Sequence, residues 1–183
     1  MKNRARFRRL VLHGLNGWFL FQSVLTLVTV WEKLPESIPV HFGLEGTPDR
    51  YTGKGVEVFL LLLAPWLISL LMYGLMGFLA FLKRIPWWIN LPGREAMLLG
   101  PEERAIILPF ILEMITATTA TVNFLLYSIG RGMLAVAFDQ APSLPAWSVW
   151  PGLVLVLAVS LVYTFILWTI SKRLFERADD QRA

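Results

Sequence analysis

Four stretches of this chain are each long and apolar enough to cross a lipid bilayer, and that constrains everything else about it. A hydrocarbon core about 30 Å thick takes roughly 20 apolar residues in helical form. Residues 10–31, 58–82, 105–129 and 147–170 each meet that length. Hydrocarbon offers no water to satisfy backbone N–H and C=O groups, so an isolated spanning segment has to be a helix. The expected fold is therefore an all-α membrane protein, a single membrane domain over 1–183 with four transmembrane helices. Charged residues make up only 16% of the chain, against about 25% in a soluble domain, too few to cover a water-facing surface. With no cysteine, disulfides and thiolate chemistry are excluded, as is a zinc or iron–sulfur site of the usual kind.

Lysine and arginine set the direction of insertion. Lys2, Arg4, Arg6, Arg8 and Arg9 precede the first span, Lys83, Arg84, Arg94 and Arg104 lie between the second and third, and Lys172, Arg173, Arg177 and Arg182 follow the fourth. In a four-span topology these thirteen share one side, while Lys33, Arg50, Lys54 and Arg131 take the other. The positive-inside rule then puts both termini in the cytoplasm and the 32–57 connection outside. MKNRARFRR resembles the start of a signal peptide, but the apolar run after it is too long and no A-x-A-like site follows, so it reads as a retained signal-anchor. Trp87 and Trp88 suit the inner aromatic belt; Trp31, Trp147 and Trp150 suit the outer one. In the inner connection, REAMLL suits a short amphipathic helix lying in the interface. Pro101, Glu102 and Glu103 fit the start of the third helix. The connection GRGMLAVAFDQAPSLP is apolar enough to lie against the membrane, with nothing in it that signals chemistry. The tail SKRLFERADDQRA interleaves acids with bases, which makes it a topology anchor and argues against nucleic acid as a partner.

Against this background the stretch LPESIPVHFGLEGTPDRYTGKG, residues 34–55, stands out. Pro35 and Pro39 push their neighbours to extended backbone, so IPVHF reads as a short strand-like piece. GLEG reads as one turn and Thr47-Pro48-Asp49 as a second. The expectation is a compact, ordered outer loop in which His41, Asp49 and Lys54 face one another or one pocket, with Pro35, Pro39, Gly46 and Pro48 fixing its shape. Leu34, Pro35, Ile38, Pro39, His41, Phe42, Gly46, Asp49, Gly53 and Lys54 are spaced as in a bacterial integral-membrane family of unknown function, which this stretch resembles. That family includes the N-terminal region of the immunity protein against the sporulation-delaying (Sdp) peptide toxin. Its members carry such a loop between their first and second transmembrane helices. Many have an asparagine near a proline after the second, which Asn90 and Pro92 resemble. The resemblance implies a multi-pass protein of the bacterial inner membrane, with toxin immunity or signalling as its role.

The residues leave alternatives open. His41 with Glu36, Glu45 and Asp49 is a donor set for a hard cation; the plainer reading has His41 packed beneath the loop and no metal bound. No nucleophile accompanies His41 and Asp49, so no catalytic residue is assigned and an enzyme is not expected. No cofactor is implied. In the third span Glu113, Thr116, Ala120 and Asn123 share a helix face, and His13, Asn16, Tyr73 and Tyr163 fall at a depth similar to Glu113. An intramembrane carboxylate is costly and calls for a partner: Glu113 is either a proton or cation relay or a protonated group bonded between helices. The small residues from Thr116 to Thr121 suit close helix packing.

Three functions follow from these features: recognition of an antimicrobial peptide in immunity or signalling, docking as an accessory subunit of a larger membrane complex, or small proton-linked transport through Glu113. The topology is directly testable. Reporter fusions at either terminus and within 90–95 should give a cytoplasmic signal, and one within 43–50 an external signal. A cytoplasmic signal from 43–50 would invert the assignment of the loop.

Overall fold

The computed structural model describes residues 2–86, 89–93 and 98–180, and their side chains from Arg6 onward. Trp87, Trp88 and residues 94–97 lie outside that set, and with them most of the interfacial helix expected at REAMLL. Among the described residues the order is α1 (Lys2–Val30), a 3-10 turn (Trp31–Lys33), β1 (Ile38–Phe42), β2 (Pro48–Thr52), α2 (Val56–Leu62), α3 (Ala64–Leu82), α4 (Pro101–Ala137) and α5 (Ala146–Asp180). Among the described residues four helices are long and apolar enough to cross a membrane: Arg6–Lys33, which is α1 from Arg6 onward with the 3-10 turn, and α3, α4 and α5.

The helices depart from the expected spans in two places. The second span is broken: Leu63 ends α2 in a turn before α3 resumes at Ala64. Pro65 is the cause. It has no N–H to offer the carbonyl of Leu61, and its ring disfavours helical backbone at Ala64. The chain bridges the gap with Trp66 N–H to Leu63 O (2.9 Å) and Leu67 N–H to Leu63 O (3.3 Å). The third helix also runs on to Ala137, so GRGMLAVA is helical and not part of a surface loop. Burial of Met133, Leu134 and Val136 outweighs the helix cost of Gly130 and Gly132, about 1 kcal/mol each. The helix then stops on a left-handed Asp139 (φ 56°). Gln140 N–H reaches back to Ala135 O (2.8 Å) and Asp139 N–H to Val136 O (3.0 Å), the paired bonds of a Schellman cap.

By packing, the chain divides into two units: Met1–Leu70 with Thr119–Val156, and Leu71–Thr118 with Leu157–Ala183. In the first, Ile38, Val58, Leu62, Met133 and Leu134 form a core flanked by Leu27, Val30, Trp31, Leu34, Val40, Phe42 and Phe138. The base of the hairpin is thus held among α1, α2 and the end of α4. Gly152 lets α5 approach α4 so closely that a Cβ there would lie 2.9 Å from Leu125 Cα, a use of small residues common between membrane helices. In the second unit the core is Leu79, Ile85, Leu91, Leu99, Ile107, Leu108, Ile111, Ile115 and Leu167. Buried Arg104 ties the α3–α4 connection to the start of α4, donating from Nε to Leu99 O (3.2 Å) and from Nη1 to Pro86 O (3.1 Å).

The two strands pair antiparallel, with Ile38 opposite Thr52, Pro39 opposite Tyr51, His41 opposite Arg50 and Phe42 opposite Pro48. Pro48 and Asp49 therefore belong to β2 and do not form a second turn; proline is acceptable as the first residue of a strand. The turn itself is Gly43–Gly46, closed by Gly46 N–H to Gly43 O (2.9 Å) and by Gly43 N–H to Thr47 O (2.9 Å). Gly46 has φ 78°, and its carbonyl accepts from Leu144 N–H at 2.7 Å. The α4–α5 connection is thereby fastened to the hairpin.

A Cβ on Gly46 would meet Leu144 O at 3.0 Å, whereas one on Gly43 would find its nearest neighbour at 3.7 Å. Left-handed backbone costs an L-residue about 1–2 kcal/mol. Gly46→Ala should lower stability in detergent by at least that much and speed hydrogen exchange at the Leu144 amide, while Gly43→Ala leaves that amide protected. Equal protection in both variants would show that the two loops are not fastened at this point.

Candidate functional site

The hairpin carries its polar side chains at two irregularities in the ladder. The register slips between Pro39 and His41, and again between His41 and Phe42. Bulges of this kind bend a strand and re-aim side chains. Here they bring His41 Nδ1 to 2.5 Å from Asp49 Oδ1, with both side chains more than half exposed. The reading that packs His41 under the loop does not hold, because the bulges turn the ring outward. Among the described residues no three histidines or carboxylates gather as a cation site, so Glu36 and Glu45 do not join the pair.

Lys54 is not brought to His41 and Asp49. It lies beyond the end of β2, where its ammonium sits 5.2 Å from the centre of the Trp31 ring and donates to Glu32 Oε2 at 3.4 Å. Trp31 in turn meets Phe59 edge to face, centroids 6.0 Å apart at 85°. Arg50 Nη2 donates to Glu57 Oε1 at 2.6 Å, linking β2 to the first turn of α2. Lys54 and Arg50 thus brace the base of the hairpin against α1, the 3-10 turn and α2. Of the residues expected to fix the loop's shape, Pro39 is buried under it and Pro48 opens β2, while Pro35 follows the 3-10 turn and Gly46 makes the turn. At the tip, Leu44 is fully exposed, and Tyr51 is 54% exposed on β2.

Inside the helices the polar residues separate into two sets. Glu113 is buried at 5% exposure, and Oε1 accepts from Tyr163 OH at 2.9 Å. One turn along α4, Thr116 donates to Leu112 O (2.8 Å) and lies 3.6 Å from Met76 Sδ. Asn16 belongs to the other set. Asn123 Nδ2 donates both to Asn16 Oδ1 (2.9 Å) and to Ser69 Oγ (2.8 Å), tying α4 to α1 and α3. Tyr73 is half-buried on α3, and Asn90 is exposed in the α3–α4 connection. Nothing in the spacing marked Ser69, since a lone serine in an apolar helix usually bonds its own backbone. Leu44 did carry a signal: an apolar residue inside a Gly-x-x-Gly turn has no packing reason to be there.

Residues 18–64 match a family described as a domain of unknown function, DUF1648. The matched segment takes in the C-terminal part of α1 from Trp18, the whole hairpin, α2 and the first residue of α3. No curated protein matches the chain, and no solved structure does.

The Glu113–Tyr163 pair gives a stability test. Glu113→Gln keeps an acceptor for the Tyr163 hydroxyl and should leave the melting temperature in detergent nearly unchanged. Glu113→Ala takes the carboxylate acceptor away from a part-buried bond and should cost about 1 kcal/mol or more. Equal melting of both variants would mean the bond contributes nothing to stability.

Proposed function

We propose that this chain is a recognition protein of the bacterial cytoplasmic membrane, not an enzyme, and that its hairpin faces outward to bind a peptide in toxin immunity or signalling. The observation that carries this reading is the construction of the hairpin, braced at its base and at Gly46 of its turn, with Leu44 bare at the tip. The base is buried with Ile38 and Val58 at 0% exposure, Arg50 and Lys54 brace it, and the Leu144–Gly46 bond fixes the turn. Leu44 at the turn, the His41–Asp49 pair and, nearer the base, Tyr51 are exposed. A surface fixed before its ligand arrives loses little entropy on binding. An exposed leucine and tyrosine beside an acid–base pair suit a peptide that offers both apolar and cationic side chains. The resemblance of the loop to that of the Sdp immunity protein's family supports the same role, and the lysine and arginine distribution supports the orientation.

The buried Glu113–Tyr163 bond favours a second reading, proton-linked transport. Loss of a phenotype in a stable Glu113→Gln protein would support it, and full activity would remove it.

The test of the first reading compares cells expressing the wild-type chain with cells expressing Leu44→Ser, His41→Ala or Asp49→Ala, each challenged with a panel of secreted antimicrobial peptides. Wild type should raise the inhibitory concentration of at least one peptide. The three variants should lose that protection while accumulating and melting like wild type, because their side chains hold little of the fold. Lys54→Ala should instead lower the melting temperature through loss of its Trp31 and Glu32 contacts. No protection by wild type, or early melting of the tip variants, would defeat peptide recognition by the hairpin.

A further inference from the structure

Where α3 ends and α4 begins, the second unit holds a cavity of about 220 Å³. Its walls include Leu82, Ile85, Pro86 and Leu99, and its two charged lining residues are Arg84 and Arg104. Among the described residues no carboxylate lines it. The Glu103 carboxylate turns back over Gly100 at the start of α4. Arg104 is 7% exposed and held in place by the carbonyls of Leu99 and Pro86, so little ordering of its side chain is left to occur. Arg84 is exposed, and no ion pair among the described residues engages it. Both arginines line one cavity whose other described walls are mostly apolar, and low polarity strengthens the attraction of a cation for an anion that enters it.

We infer that this cavity binds a phosphate ester and that its natural occupant is the headgroup of an anionic phospholipid. Position favours a lipid. The last residues of α3 and the first turn of α4 are the ends of membrane-crossing helices, the level at which phosphates of the bilayer lie. Basic pockets at helix ends are a recurring means of holding anionic headgroups. Guanidinium groups match phosphate oxygens in geometry as well as charge. Leu82 and Leu99 would take the glycerol and first methylenes, while Arg84 and Arg104 grip the phosphate from two sides. The inference is independent of what the hairpin recognises.

The experiment is native mass spectrometry of the full chain, delipidated in detergent and titrated separately with phosphatidylglycerol, phosphatidylcholine and inorganic phosphate. Phosphatidylglycerol should bind saturably and at least about tenfold more tightly than phosphatidylcholine, as expected for charge-assisted contacts. Arg84→Gln, which removes an exposed charge and should leave the lipid-free melting temperature unchanged, should weaken phosphatidylglycerol binding by about tenfold or more. Arg84-dependent binding of phosphatidylglycerol with no binding of inorganic phosphate assigns the site to lipid. Arg84-dependent binding of both supports phosphate recognition and admits a free phosphate as occupant. Equal affinity for the two lipids, or phosphatidylglycerol binding that Arg84→Gln leaves unchanged, would overturn the proposal.

Discussion

A segment in hydrocarbon has no water to bond with, and most of this structure is arranged around that deficit. Each buried polar group costs several kcal/mol unless a partner within the protein takes the place of water. The Asn123 amide nitrogen is matched by Asn16 and Ser69, and Glu113 by Tyr163. Trp66 Nε1 finds Leu20 O at 3.1 Å, and Ser23 and Thr116 fall back on carbonyls of their own helices. Where a proline removes a donor inside the second span, the chain surrenders one turn of regular helix at Leu63 and recovers the bonding within four residues. The same deficit confines non-helical backbone to the ends of the helices. There the two strands satisfy each other, and their buried side sits on Val58, Leu62 and Met133.

The hairpin shows how a small motif becomes rigid without a sheet to support it. Two strands alone are marginal in water. Here the apolar residues of β1 anchor one end, with Ile38 fully buried. Cationic residues of β2 and the bend after it reach sideways to Glu57 and Glu32, and the turn is bonded to a separate connection. Exposed ion pairs are individually worth about 1 kcal/mol or less, so the ion pairs orient the hairpin while the buried core holds it.

The number and approximate position of the membrane-crossing helices were legible because a hydrophobic run of that length has few other solutions. Their ends were not. GRGMLAVA reads as part of a connection lying against the membrane, whereas packing of Met133 and Leu134 beneath the hairpin makes helix the better state. The hairpin itself was half legible. Pro39 and the Gly43–Gly46 turn were readable from local chemistry, but the slips in register that bring His41 to Asp49 depend on pairing between strands. Lys54 misled for a related reason. Closeness in sequence to Asp49 suggested a shared surface, whereas the aromatic face of Trp31, far away in sequence, offered the ammonium a better partner. Glu113 announced its need of a partner, and Tyr163 was among those considered. The Asn16–Ser69–Asn123 set needed the helices in register before it could be seen.

The bond from Leu144 N–H to Gly46 O has a consequence for how this chain tolerates change in length. Surface connections ordinarily accept inserted residues at little cost. In this protein two connections hold each other, and the α4–α5 connection is also tied at both ends: Gln140 N–H to Ala135 O on one side, Ser148 N–H to Pro145 O on the other. Adding or deleting a residue between 140 and 145 would move Leu144 off the hairpin turn, although nothing within those residues resembles a core. The α4–α5 connection therefore has a fixed length, set by a loop nearly a hundred residues away in the sequence.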